Sequence, residues 1–185
     1  MARARPALVS LLGVSGSGKT TLAALLVHRW SLQGLSVGYV KHASHGFEMD
    51  RPGKDTDRVA SAGAAGIAVT GPGGTAFVAR GEPEAPEAIV ARFFSDRDVV
   101  VLEGFRTAGF PSVVVVGDAE PAMAVAEARG PVLAVIAGAS GLEAALASSR
   151  GALVFGRYDA DGLALHLERV LGLRAGAPPR PGVGP

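Results

Sequence analysis

Short apolar runs alternate along the chain with segments of helical periodicity. Ala7-Leu8-Val9-Ser10-Leu11-Leu12 is the kind of run that a parallel sheet buries on both faces. Thr21 to Trp30 has high helix propensity and too few charges for an exposed helix. Gln33-Gly34 stops that helix, and Ser36 to Val40 reads as a second strand, completing a strand-helix-strand unit. A polar loop then runs from Lys41 to Lys54. Asp55 caps a short helix through about Ala62, and Gly66–Thr70 and Thr75–Ala79 flank Gly71-Pro72-Gly73-Gly74 as a hairpin. Glu82 to Ser95 opens with prolines and continues as an amphipathic helix with Ile89, Val90, Phe93 and Phe94 on one side. Asp98–Leu102, Pro111–Val116 and Val132–Ile136 are further apolar strands, and Ala152–Phe155 precedes a terminal helix over Asp161–Leu171. The pattern predicts an α/β fold, a mainly parallel sheet between helices with a β-hairpin extension.

The chain has 185 residues, enough for one α/β domain with a sizeable core and short for two. We assign residues 1–173 to that domain and 174–185 to a disordered Pro/Gly-rich tail. Hydrophobic residues make up 48%, which supports a packed interior, although much of it is Ala and Gly. A formal charge of +1, with Lys and Arg scattered rather than striped, argues against a nucleic-acid partner. Cysteine is absent, which excludes disulfides, a thiolate nucleophile and sulfur-ligated metal sites. No apolar run approaches the roughly twenty residues that span a bilayer, so a cytoplasmic protein without a membrane partner is expected.

The chemistry concentrates at Gly13-Val14-Ser15-Gly16-Ser17-Gly18-Lys19-Thr20, a full P-loop placed between strand and helix. Gly13, Gly16 and Gly18 permit backbone angles that turn successive N–H groups inward as an anion nest, to which Ser15, Ser17 and Thr21 add donors at the helix start. Lys19 reaches the β- and γ-phosphate oxygens in such a loop, and Thr20 supplies a hydroxyl for magnesium. A P-loop NTPase needs a carboxylate at the end of a neighbouring strand, and Glu103 is the candidate because it follows four apolar residues and precedes Gly104. Asp98, at the other end of that strand, reads as a turn residue.

The Lys41–Asp57 loop lies where crevices form, beyond the C-terminal ends of parallel strands. Lys41 falls at that edge. His42 and His45 read either as acid-base groups and ligand donors or as members of a solvated loop. Asp55 reads as an N-cap that is also compatible with a magnesium role. Arg106 is a lone arginine beside Glu103. His28 and His166 sit in helical patterns and read as structural.

Together these residues resemble the molybdopterin-guanine dinucleotide biosynthesis protein B family. The resemblance covers most of the chain and rests on Gly13–Thr21, Tyr39-Val40-Lys41-His42, Asp50-Arg51-Pro52-Gly53-Lys54-Asp55, Ala62-Gly63-Ala64 and Val101-Leu102-Glu103-Gly104-Phe105-Arg106. It implies a homodimer that binds GTP with Mg2+, hydrolyses it weakly, and assists the guanylyltransferase that joins GMP to molybdopterin. Lys19, Asp55 and Glu103 are then the catalytic candidates, with Thr20, Asp55 and Glu103 on the metal. Gly13, Ser15 to Thr21, Lys41, His42 and Arg106 are the nucleotide-binding candidates. The chain departs from the family at Ala43-Ser44-His45-Gly46, where a threonine and an extra histidine are common. No Asn-Lys-x-Asp or Thr-Lys-x-Asp guanine reader occurs, and Ile136 to Ser140 is the candidate for base contacts.

Two other readings stand beside this one. A small-molecule kinase uses the same loop, but usually with an arginine-bearing lid. Here Arg150 and Arg157 are separated by apolar sequence. A non-enzymatic carrier of molybdopterin, with nucleotide as a structural ligand, is the third. The hairpin from Gly66 to Arg80 offers an unpaired edge for a dimer.

Overall fold

The computed structural model describes residues 5–44, 46–47, 54–117 and 125–174. His45, Glu48, Asp50, Arg51 and the Pro52-Gly53 turn lie outside them, as does the tail from 175 onward. The described chain forms two compact units, one from residues 1–42 with 86–185 and one from residues 43–85.

The first unit is a six-stranded sheet flanked by helices. Its strands are β1 (Ala7–Leu12), β2 (Val37–Lys41), β5 (Val99–Glu103), β6 (Ser112–Gly117), β7 (Val132–Ala137) and β8 (Leu153–Gly156). Their order is β2-β5-β1-β6-β7-β8, and every neighbouring pair is parallel. The P-loop NTPase fold read from the sequence is therefore present. The chain passes from β1 to β2 on one side and from β5 to β6 on the other, the topology that in open parallel sheets sets ligand crevices beyond the C-terminal ends of the strands.

Period-two alternation sorts the strand side chains between the two faces. Val9, Leu11, Val99, Val101, Val113 and Val115 pack with Trp30 of α1 (Lys19–Leu32) and with Leu163 and Leu167 of the C-terminal helix. On the other face, Val114, Val116 and Val135 meet Val125, Ala128 and Ala145, while Val100 and Leu102 meet Val90 of α3 (Pro86–Phe93). β5 is buried along its whole length, Glu103 included.

Helix α1 buries one stripe and exposes the rest, which corrects the expectation that it carries too few charges for an exposed helix. Leu22, Leu26 and Trp30 form the inward stripe with Ala23, whereas Leu25 and Leu32 are exposed. The Arg29 guanidinium pairs with Asp161 and, at 3.4 Å, with Glu168, joining α1 to the C-terminal helix. A short helix absent from the sequence reading, α4 (Leu142–Ser148), precedes β8, and α5 (Ala160–Leu171) closes the described chain. His166 bonds the Leu133 carbonyl at 2.9 Å and stacks beside Phe155, a structural role as read. Asp98 accepts from the Ser36 amide and hydroxyl, so it fixes the turn into β2.

The second unit holds α2 (Asp55–Ser61) and a hairpin of β3 (Gly66–Gly71) and β4 (Gly74–Ala79) in antiparallel register. Among the described residues, β3 and β4 pair only with each other.

Candidate functional site

The loop between β1 and α1 is shaped by backbone angles that side chains oppose. Gly13, Gly16 and Gly18 have φ of 150°, 76° and 98°. At Gly13 a Cβ would stand 2.2 Å from the Val115 carbonyl oxygen of β6, so the loop entrance has no room for a larger residue. Gly18 is the left-handed N-cap of α1. The first amides of that helix have no acceptor within it and, with the helix dipole, make its N-terminus attractive to anions.

Glu103 ends β5 at the same edge, and sheet register decides what surrounds it. It is in register with Leu11 on one side and Lys41 on the other. Residues 99, 101 and 103 face α1, so the carboxylate meets the first turn of that helix. The Thr20 hydroxyl donates to both carboxylate oxygens, at 2.9 and 3.0 Å. Tyr39, on β2 and one pleat before Lys41, donates its hydroxyl to Oε2 at 2.7 Å. The Lys41 ammonium lies 3.1 Å from Oε1 and donates to the Thr20 hydroxyl oxygen at 3.4 Å.

Burial pushes the Glu103 carboxyl upward, but bonds from Tyr39, Lys41 and Thr20 together with the Lys41 charge outweigh it and hold the group below the ordinary carboxylate range. Glu103 is ionised at neutral pH. Burial, reinforced by Glu103, raises the Tyr39 phenol well above its usual value, so it remains a donor. Partial burial lowers the Lys19 ammonium from its ordinary value; Glu103 opposes this, and the Arg106 and Lys41 charges add to it.

Arg106 follows β5 and reaches back to the loop. One guanidinium nitrogen donates to the Gly13 carbonyl at 2.8 Å, and the other pairs with Glu127 at 3.0 Å. Lys19 donates to the Val14 carbonyl at 2.6 Å. Gly104 has φ of 90°, and a Cβ there would lie 3.1 Å from the His42 carbonyl oxygen, so the turn after Glu103 runs tight against β2's end. The His42 amide donates to the Glu103 carbonyl at 2.9 Å, and its ring lies beside Phe105.

Of the residues singled out from the sequence, the fold thus gathers Gly13 to Thr21, Lys41, His42, Glu103 and Arg106 at one sheet edge. Asp55 is the first helical residue of α2 in the second unit, which corrects its reading as the N-cap: that position is Lys54. Tyr39 and Glu127 were missed. The signal for Tyr39 was its i, i+2 spacing from Lys41, which puts both on one face of β2.

The donor set fits a phosphate chain with a hard divalent ion. A hydroxyl and an ionised carboxylate in contact are oxygen ligands of the type Mg2+ takes in small number, its remaining positions going to water and phosphate. The described residues hold no cluster of three or more His, Asp or Glu. The buried Ser17 hydroxyl has no hydrogen-bond partner among the described residues. Lys19, Lys41 and Arg106 surround the carboxylates of Glu103 and Glu127, a balance suited to an anion.

Comparison with known proteins decides the family. A family model for molybdopterin guanine dinucleotide synthesis protein B, MobB, matches residues 8–138. The chain belongs to the MobB family. A probable molybdopterin-guanine dinucleotide biosynthesis adapter protein of Bacillus subtilis is 37% identical over 123 residues, which cover 65% of this chain and 71% of that protein. The corresponding Escherichia coli adapter protein is 31% identical over 56% of this chain, and the match spans 62% of its own length. A MobB crystal structure superposes with a TM-score of 0.70 at 28% identity, covering 89% of this chain and 99% of that one. Bacillus subtilis MobB gives 0.68 at 29% identity, over 92% and 99%. The MobB match contains the P-loop, Lys41, Glu103 and Arg106 together. No helix among the described residues is long and apolar enough to cross a membrane.

Proposed function

We propose that the protein is a cytoplasmic GTP-binding adapter with weak GTPase activity that assists the guanylyltransferase of molybdopterin-guanine dinucleotide assembly. The observation that carries this reading is the Thr20–Glu103 pair at the mouth of the P-loop. It is supported by the names of the relatives, which are adapter proteins of that biosynthesis. Thr20 and Glu103 would hold Mg2+, which when bound neutralises phosphate charge. Lys19, with the amides from Gly13 to Thr21 and the Ser15 and Ser17 hydroxyls, holds the phosphates. Lys41, His42 and Arg106 complete the wall of the site. Asp55 is kept as the catalytic and metal candidate that the family resemblance implies, and Ile136 to Ser140 is assigned to the base.

A homodimer is part of the proposal, supported by the hairpin whose strands pair only with each other among the described residues. A monomeric mass in sedimentation at micromolar concentration would count against it.

Calorimetric titration with GTP and with ATP in Mg2+, followed by phosphate release with and without a molybdenum cofactor guanylyltransferase, tests the reading. Tight GTP binding and slow release altered by the transferase are expected. Absence of GTP binding would sink it, and rapid transfer that depends on a small acceptor would establish a kinase instead.

A further inference from the structure

The Lys41 ammonium stands on the oxygens assigned above to a metal. It is 3.1 Å from Glu103 Oε1 and 3.4 Å from the Thr20 hydroxyl oxygen. The other carboxylate oxygen is held at 2.7 Å by Tyr39, so Oε1 is the atom on which a second cation must act. A divalent ion bound to Thr20 and Glu103 and an ammonium bound to the same pair exclude one another, by volume and by like charge.

We propose that Lys41 is a tethered cation that competes with divalent metal for the Thr20 and Glu103 oxygens, and thereby sets which ions the site accepts. The inference rests on the nucleotide-site reading above. A monovalent ion carries the same charge as the ammonium it must displace and lacks the tether. A divalent ion gains about twice the attraction to the carboxylate at a given separation, so it alone displaces the lysine. Lys41 ends β2, and its flexible four-carbon stem lets the ammonium withdraw without backbone movement. The side chain is half-exposed, so water can receive it.

The chain's lysines are Lys19, Lys41 and Lys54, so acetylation by a water-soluble ester, read by peptide mass spectrometry, reports Lys41 separately. With a non-hydrolysable GTP analogue present throughout, adding Mn2+ in place of EDTA should raise Lys41 labelling about fivefold, with Lys54 as the reference. Electron paramagnetic resonance of Mn2+ in the same samples measures the bound ion. Lys41→Met should tighten Mn2+ about fivefold. If Mn2+ binds the wild type but Lys41 labelling stays level or falls, the competition is refuted while the nucleotide site stands. If Mn2+ fails to bind the wild type with the analogue, the metal reading itself is refuted, and the competition with it.

Discussion

Thr20 and Glu103 lie 83 residues apart in sequence and meet through a hydroxyl shared between both carboxylate oxygens. The first residues of α1 and the last of β5 are joined there, and the glycine-rich loop before α1 is held against the C-terminal ends of the strands. Thr20→Val keeps the β-branched shape and removes the donor. It should weaken Mg2+-dependent GTP binding at least about tenfold, since a hydrogen bond to a charged group contributes about 1.5–3 kcal/mol. Titration with and without Mg2+ checks this, and an equal affinity in both media for the variant and the wild type would contradict it.

Lys19→Ala removes the loop's cation while leaving the glycine-shaped backbone. GTP affinity should fall by about two orders of magnitude, of the order expected when a charge-assisted contact is lost. Circular dichroism should remain that of the parent protein. Retained affinity would place the phosphates elsewhere.

Gly13→Ala tests packing rather than charge. The added Cβ would meet the Val115 carbonyl at 2.2 Å, and both atoms belong to backbone that the sheet fixes. Destabilisation of about 1–3 kcal/mol should follow, seen as a lower urea midpoint. An unchanged midpoint would mean that the loop moves aside freely.

Acid should expose the Glu103 contribution in metal-free protein. The fold holds this carboxyl below its ordinary value of 4.5. Its stabilisation is therefore complete above the unfolded value and is lost as pH falls through the lower folded one. Urea midpoints measured downward from pH 6 should drop more steeply for the wild type than for Glu103→Gln. Parallel curves would show that Glu103 is not the group responsible.

The glycine-shaped turn before α1 and the carboxylate that meets it were legible because each depends on local chemistry. Three glycines, a lysine and a threonine at fixed offsets have few other uses, and a carboxylate after four buried residues needs a cation. The face Tyr39 shares with Lys41 was legible, but its bond to Glu103 was not, since that depends on β2 lying beside β5 and strand order follows from long-range pairing. The same limit hid Glu127, whose partner Arg106 was visible but whose position was not. The outward face of α1 was misread because Ala24, Leu25 and Ser31 carry no charge, yet a helix on the outside of a sheet needs only one buried stripe. Helix α4 is hard to read because it is seven residues long and its N-cap, Gly141, makes no side-chain capping bond.

The packing of α1 against the C-terminal helix also bears on synthesis. Trp30 and Leu26 near the start of the chain are enclosed by Leu163 and Leu167 near its far end, and β1 is flanked by β5 and β6. Strand β1 emerges early from the ribosome, but β5 beside it arrives some ninety residues later and the C-terminal helix that packs with α1 later still. Such long-range contacts delay folding. The growing chain therefore carries an apolar first strand and helix for most of its translation.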